Sequence, residues 1–281
     1  MLSKLIKHEW KDTYMVGTVC SIVVVVLTII GMLLFSLDVW GESASRESEF
    51  AMEFTATMIM LYFVMMVYGI AALIMVIRYY FFWRYHKNLF TDQGYLLNTL
   101  PVKSSDLIKS KLIVGVIWQY IAGLVVGISI VLLVSTMVIA LGEISISEFM
   151  QGVGEIFVEF QTEVLGDAEF IKALPMAIGY LLILIVSPIF DLLLMYTAVG
   201  VGQLSKKHKF LMAVLVLLGF NLAIQTVSSF VSVPMTLLMN GDNILTIYNT
   251  VMVSVAVIMV GGSFGFYYLS KYFLEKKLNL E

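Results

Sequence analysis

The sequence predicts an all-α, polytopic membrane protein with six transmembrane helices. Of its 281 residues, 60% are hydrophobic and only 13% are charged, which is about half the charged fraction of a soluble domain. The mean hydropathy is +0.96. The apolar residues also lie in long continuous blocks, and about 20 apolar residues suffice to cross a bilayer as a helix. This composition excludes a soluble enzyme.

Six apolar segments are each long enough to span the membrane. They are continuous rather than alternating, which indicates helices and not the strands of a barrel. Their approximate bounds are 15–37, 54–80, 112–141, 173–201, 210–238 and 245–270. Neither an internal repeat nor a low-complexity linker interrupts them, so residues 1–281 are interpreted as a single membrane domain.

The basic residues predict the orientation of these helices, because Lys and Arg collect on the cytoplasmic side. With six spans, both termini lie on the same side as the loops at 81–111 and 202–209. That side holds fifteen of the seventeen Lys and Arg residues, whereas the opposite side holds Arg46 and Lys172. The opposite segments carry thirteen acidic residues and a net charge of −11. We therefore expect a cell-membrane protein with both termini in the cytoplasm.

Residues 1–14 carry an amphipathic pattern. Leu2, Leu5, Ile6 and Trp10 share one helical face. The flanking basic residues are Lys4, Lys7 and Lys11. This pattern favours a helix in the cytoplasmic interface, with the aromatic ring at headgroup depth and the lysines toward the phosphates. The alternative is an inward extension of the first span.

The loop between the second and third spans is apolar for a segment expected in water. Gly94 and Pro101 are positions where helices end or break, and Ser104 or Ser105 is suited to cap the helix that enters the third span. The apolar residues between them are Tyr95, Leu96, Leu97 and Leu100. A short apolar helix in the cytoplasm favours a partner protein. It could equally pack beneath the helix bundle.

The same loop carries a resemblance to a known family. Its residues Asp92-Gln93-Gly94-Tyr95-Leu96 and Thr99-Leu100-Pro101-Val102 follow two spans and precede a Lys-Ser-Lys segment. This order resembles the ABC type-2 permeases, in particular the transmembrane subunits of bacterial peptide-export and lantibiotic-immunity systems. The similarity covers the whole chain in topology, but its motifs lie within residues 84–113.

The resemblance implies a function and a set of partners. The loop would contain a coupling helix that docks on a separate cytoplasmic ATPase, present in two copies and carrying the ATP and Mg. The docking residues would be Asp92, Gly94, Tyr95, Leu96, Leu100, Pro101 and Lys103. A second permease subunit, identical or homologous, would complete the translocation pathway. The exported substrate would be a peptide or another amphiphile.

The segment 143–172 predicts an acidic amphipathic helix on the outer side. Apolar residues recur at helical spacing, and glutamates occupy a neighbouring arc. The apolar set is Phe149, Val153, Ile156, Phe160 and Val164, and the glutamates are Glu148, Glu155, Glu159 and Glu163. Such a helix could gate the exit or act on charged peptides. It could also be a solvated cap over the bundle.

Asp191 is the one ionisable residue deep within a predicted span, three residues after Pro188. A charge in a span is costly and indicates function by default. Asn221, Gln225 and Ser228 recur at helical spacing in the fifth span and at a similar depth. They could hydrogen-bond Asp191, or the four residues could line a polar pathway. Asp191 could also be the proton site of a secondary transporter.

Other motifs mainly exclude functions. Glycine pairs at Gly123/Gly127 and Gly261/Gly265 permit close helix packing. Residues 261–265 match G-x-S-x-G, but no strand precedes them and no histidine lies in a span, so a serine hydrolase is not expected. A P-loop is absent, and Cys20 with three scattered histidines forms no metal motif. We expect no catalytic, cofactor or metal site and no nucleic-acid partner. The remaining alternative is a membrane sensor or scaffold.

Overall fold

The computed structural model describes residues 2–35, 49–91, 94, 103–142, 146–159, 168–205, 207–237 and 244–276. Within these ranges the chain is helical throughout, apart from short turns. Its seven helices are α1 (Leu2–Phe35), α2 (Glu49–Phe90), α3 (Ser104–Gly142), α4 (Ile146–Glu159), α5 (Ala168–Gly202), α6 (Lys209–Leu237) and α7 (Ile244–Lys276). All but α4 are long and apolar enough to cross a membrane. The prediction of an all-α, six-span membrane protein is confirmed.

Several helices extend beyond the predicted spans. α2 continues to Phe90 and α7 to Lys276, whereas α3 begins at Ser104, so the serines predicted to cap it lie in its first turn. The segment between α2 and α3 is therefore much shorter than the predicted loop 81–111. The apolar blocks indicated only the parts that cross hydrocarbon, whereas α2 continues through buried aromatic residues such as Phe81, Phe82 and Tyr85.

The N-terminal segment is helical, as predicted, but it is not a separate helix. α1 runs without a break from Leu2 to Phe35. This geometry matches the second alternative, an extension of the first span. Neither proline nor glycine occurs among residues 2–16 to interrupt the helix.

The acidic amphipathic helix is present as α4, over Ile146–Glu159. The side chains of Glu148 and Glu155 are exposed on it. Phe160, Glu163 and Val164, which the sequence pattern assigned to the same helix, lie outside the described residues. The helix is therefore confirmed for the first half of the predicted segment.

The chain forms two compact units. The first contains residues 1–12, 78–117 and 167–281, and the second contains residues 13–77 and 118–166. In the first unit α5 packs against α6 and α7, and its residues 192–200 are all buried. The hydroxyl of Thr197 lies 2.9 Å from that of Ser270 on α7. This paired contact fixes the register of α5 against α7.

The core of the second unit contains Val24, Ile70, Val126 and Leu133, one or two from each of its three long helical segments. At one end of this unit the indole nitrogen of Trp118 donates a 3.2 Å hydrogen bond to the hydroxyl of Thr13. The Trp118 ring covers Gly17, where any side chain would collide with it. The small residue therefore permits a close approach of α1 and α3.

The paired glycines of the spans make no close packing contact with the part of the chain that the structure describes. A Cβ added at Gly123, Gly127, Gly261 or Gly265 would meet nothing within 4 Å. By contrast, a Cβ at Gly262 would lie 2.7 Å from the Phe190 ring. The close contact on α7 is therefore made by the glycine between the predicted pair.

Candidate functional site

Much of the predicted docking segment lies outside the described residues, namely Asp92, Tyr95, Leu96, Leu100 and Pro101. The structure describes Gly94 and Lys103. The amide of Gly94 donates a 2.7 Å hydrogen bond to the carbonyl of Thr91, and a side chain at this position would collide with the Leu89 carbonyl. Glycine is therefore required where the chain turns after α2.

Lys103 marks the other end of this segment. Its side chain is exposed, and its carbonyl accepts hydrogen bonds from the amides of Asp106 at 2.9 Å and Leu107 at 3.3 Å. These are the first bonds of α3, so Lys103 occupies the cap position immediately before Ser104.

Both helices that flank the segment are held by one carboxylate of α1. Glu9 accepts a hydrogen bond from Lys111 of α3 at 2.5 Å and another from Arg84 of α2 at 3.2 Å. Arg84 also contacts Asp12 at 3.0 Å. We call these four residues the Glu9 cluster. It joins the first turns of α1 to the end of α2 and the start of α3.

The Glu9 cluster is largely removed from solvent. The side chain of Lys111 is 5% exposed, and those of Arg84 and Glu9 are each 13% exposed. A buried charge is costly unless it is paired and hydrogen-bonded. Glu9, Arg84 and Lys111 therefore depend on one another, and the three helix ends are constrained to remain together.

Aromatic side chains pack beside the Glu9 cluster. The rings of Tyr85 and Tyr196 stack with their centroids 3.8 Å apart and an interplanar angle of 8°, and both are almost completely buried. Together with Phe81 and Val114 they border a small cavity at the cluster. It has room for about one water molecule, which is too little for a larger ligand.

Asp191 has a different partner from the one proposed on sequence grounds. Its carboxylate accepts a hydrogen bond from Arg78 of α2, and about a quarter of each side chain is exposed. Arg78 was counted only as a basic residue at a span end.

The three polar residues of α6 are separate from this ion pair. Asn221 donates a 2.8 Å hydrogen bond to the carbonyl of Leu217 in its own helix. Gln225 and Ser228 are exposed in this chain. The prediction that these residues would hydrogen-bond Asp191 across a helix interface is thus replaced by the Arg78 pair. Their exposed polar atoms would face hydrocarbon if nothing covered them.

The N-terminal lysines occupy the outward face of α1. Lys4, Lys7 and Lys11 are exposed, whereas Trp10 is partly buried. Glu9 points to the opposite side, into its cluster. The sequence pattern alone did not predict the roles of Glu9, Arg84 and Lys111. One signal was available, since Glu9 continues the face of Leu2, Leu5 and Ile6, where an acidic residue needs a partner.

Comparison with known proteins identifies no relative of this chain. No family model matches the sequence, and the searches of curated proteins and of solved structures find no similar chain. Among the described residues, no group of three His, Cys, Asp or Glu side chains is placed to hold a metal ion.

Proposed function

We propose that this chain is the permease subunit of an ATP-driven ABC exporter of the type-2 kind. Residues 92–103 would dock on a separate cytoplasmic ATPase. The observation that carries this proposal is the Glu9 cluster, because it braces the two helices from which that segment emerges. α2 ends at Phe90 and α3 begins at Ser104, and Glu9 pairs with a residue of each helix.

This arrangement suits the transmission of a mechanical push. A docking segment on two independent helix ends would bend locally when its partner moves. Here a displacement of the segment passes to α1, α2 and α3 together, because separating them would expose unpaired buried charges. The helices would then move as packed bodies, which is how ligand-driven closure is commonly relayed.

The charge distribution supports a cytoplasmic position for this segment. The side predicted to carry both termini holds fifteen of the seventeen basic residues, and such an excess is typical of cytoplasmic loops. ATP is available on that side, and the ATP and Mg would be bound by the partner. Transport energy would therefore reach this chain through the docking segment alone.

The exposed polar face of α6 supports a second permease subunit. Gln225 and Ser228 lie within a helix that is long and apolar enough to cross the membrane, yet both side chains are exposed. An amide facing lipid has no hydrogen-bond partner and is costly. A second subunit, identical or homologous, would cover this face or share a polar pathway with it.

The ion pair of Asp191 weighs against the secondary-transporter alternative. The coupling residue of a secondary transporter would have to be available to its ion, whereas the Asp191 carboxylate already accepts a hydrogen bond from Arg78. The sensor or scaffold alternative gives the apolar segment between α2 and α3 no role. Neither alternative explains as directly as docking why Glu9 holds together the two helices that flank residues 92–103.

Purification in a mild detergent from the native membrane, followed by mass spectrometry, tests the proposal. We expect a stoichiometric ATPase with a Walker motif to accompany the tagged chain. Its release by high salt or by substitution in residues 92–103, with the permease still intact, would locate the contact. Recovery of the chain alone, or only with copies of itself, would overturn the proposal.

A further inference from the structure

We infer that Lys4, Lys7 and Lys11 form a binding face for anionic phospholipid headgroups. The three lysines lie three and four residues apart, so they share one face of α1. All three are exposed, and none has an ion-pair partner among the residues that the structure describes. We call this set the lysine ladder. The inference does not depend on an ATPase partner.

The Glu9 cluster determines which way the lysine ladder faces. Glu9 lies on the opposite side of α1 and is held by Arg84 and Lys111 at 3.2 and 2.5 Å. These ion pairs prevent the helix from turning about its own axis. They also occupy the Glu9 carboxylate, while Asp12 pairs with Arg84 and His8. The nearby acidic groups therefore do not neutralise the ladder.

The continuity of α1 sets the depth of the ladder. The exposed apolar side chains farther along the helix run from Tyr14 to Leu33, about 29 Å at 1.5 Å per residue. This length matches a hydrocarbon core of about 30 Å. If Tyr14 marks its boundary, Lys11, Lys7 and Lys4 follow at about 5, 11 and 15 Å along the helix.

These depths place the lysine ladder where lipid phosphates are found. The polar headgroup layer is about 5–8 Å thick on each side, so Lys11 lies within it. Lys7 and Lys4 lie within about one Debye length, roughly 8 Å, of that layer. Basic residues just beyond a membrane-spanning helix are attracted to anionic lipid in this way. The occupant of this face is therefore the phospholipid surface.

Thermal unfolding of the purified full chain in detergent tests this inference, with intrinsic tryptophan fluorescence as the readout. We expect phosphatidylglycerol to raise Tm and phosphatidylcholine or inorganic phosphate to leave it unchanged. The triple variant Lys4→Gln, Lys7→Gln, Lys11→Gln should need about a hundredfold more phosphatidylglycerol for the same rise, at about fivefold per lysine. Its Tm without lipid should match that of the original chain.

Two further variants separate the ladder from general charge. Lys109→Gln, Lys207→Gln, Lys276→Gln removes the same charge from other exposed positions and should retain the response to phosphatidylglycerol. The triple arginine variant of the ladder should also retain it. An unchanged response in the glutamine ladder variant, an equal loss in the control, or an equal rise with inorganic phosphate would each overturn the inference.

Discussion

Arg78 of α2 donates a hydrogen bond from its guanidinium group to the carboxylate of Asp191 in α5. The two residues are 113 positions apart in the chain, and both belong to helices that are apolar enough to cross a membrane. The pair offsets the free-energy cost of placing the Asp191 carboxylate within a membrane-spanning helix. It also makes a structural role for this carboxylate the simplest interpretation.

The Arg78–Asp191 pair predicts non-additive losses of stability. Asp191→Asn and Arg78→Gln should each lower the free energy of unfolding by about 1–3 kcal/mol, between the values for exposed and buried pairs. The double variant should lose clearly less than the sum, because neither charge is left alone. Thermal unfolding in detergent measures all three. Additive losses would contradict a direct pair.

Glu9 is expected to be the most sensitive member of its cluster. Glu9→Gln removes the carboxylate that is hydrogen-bonded to the Lys111 ammonium group, whose side chain is 5% exposed, and should cost about 3 kcal/mol or more. Asp12→Asn is the matched control. The Asp12 side chain is 44% exposed, so its loss should cost less than about 1 kcal/mol. Equal shifts in Tm would show that burial does not govern this cluster.

If residues 92–103 dock on an ATPase, a change in this segment should abolish ATPase binding without affecting insertion of the chain into the membrane. Replacing Tyr95 and Leu96 with glutamate puts charges where an apolar contact is proposed. The variant should be inserted and stable, yet the ATPase should no longer co-purify with it. Gly123→Ala, in the span of α3, is a suitable control because nothing lies within 4 Å of the added Cβ. Normal co-purification of the glutamate variant would refute docking through these residues.

Two adjacent glycines of α7 are expected to differ in their tolerance of a side chain. Gly262→Ala places a Cβ 2.7 Å from the Phe190 ring and should cost about 1–3 kcal/mol through overpacking. Gly261→Ala meets nothing within 4 Å and should leave Tm unchanged. The comparison needs only thermal unfolding of the two variants. A larger effect at Gly261 would indicate that another subunit packs there.

The polar face of α6 predicts a specific crosslink between subunits. In a Cys20→Ser background, which removes the only cysteine, Gln225→Cys should form a disulfide-linked product in the membrane if an identical subunit covers this face. Val227→Cys serves as the control, because it is also exposed but lies on nearly the opposite side of the helix. Equal crosslinking at both positions would argue against a defined interface.

The sequence predicted the features that depend on local composition. The six spans follow from apolar blocks and the helix α4 from its periodicity. The serines at 104 and 105 marked the region where α3 begins, although Lys103 occupies the cap position. Most of the proposed docking segment lies outside the described residues, so that part of the site remains a prediction. The sequence did not predict how far the helices continue beyond the apolar spans. Hydropathy indicates which residues can lie in the lipid, but it does not indicate where a helix ends.

The partners of the buried charges could not be derived in the same way. Glu9 and Lys111 are 102 residues apart, and several other basic residues were equally available to Glu9 on sequence grounds. The polar set on α6 was assigned to Asp191 because its depth matched, but depth along a helix does not specify which face is turned toward which neighbour.

The sequence by itself determined that this chain crosses a membrane six times and which segments do so, because the cost of placing polar groups in hydrocarbon is a local property of each segment. Only the tertiary structure decided that Glu9 braces α2 and α3, that Arg78 neutralises Asp191, and that the lysine ladder faces outward. These outcomes depend on the rotation and packing of whole helices. Burial makes each ion pair strong and selective only after those helices have met.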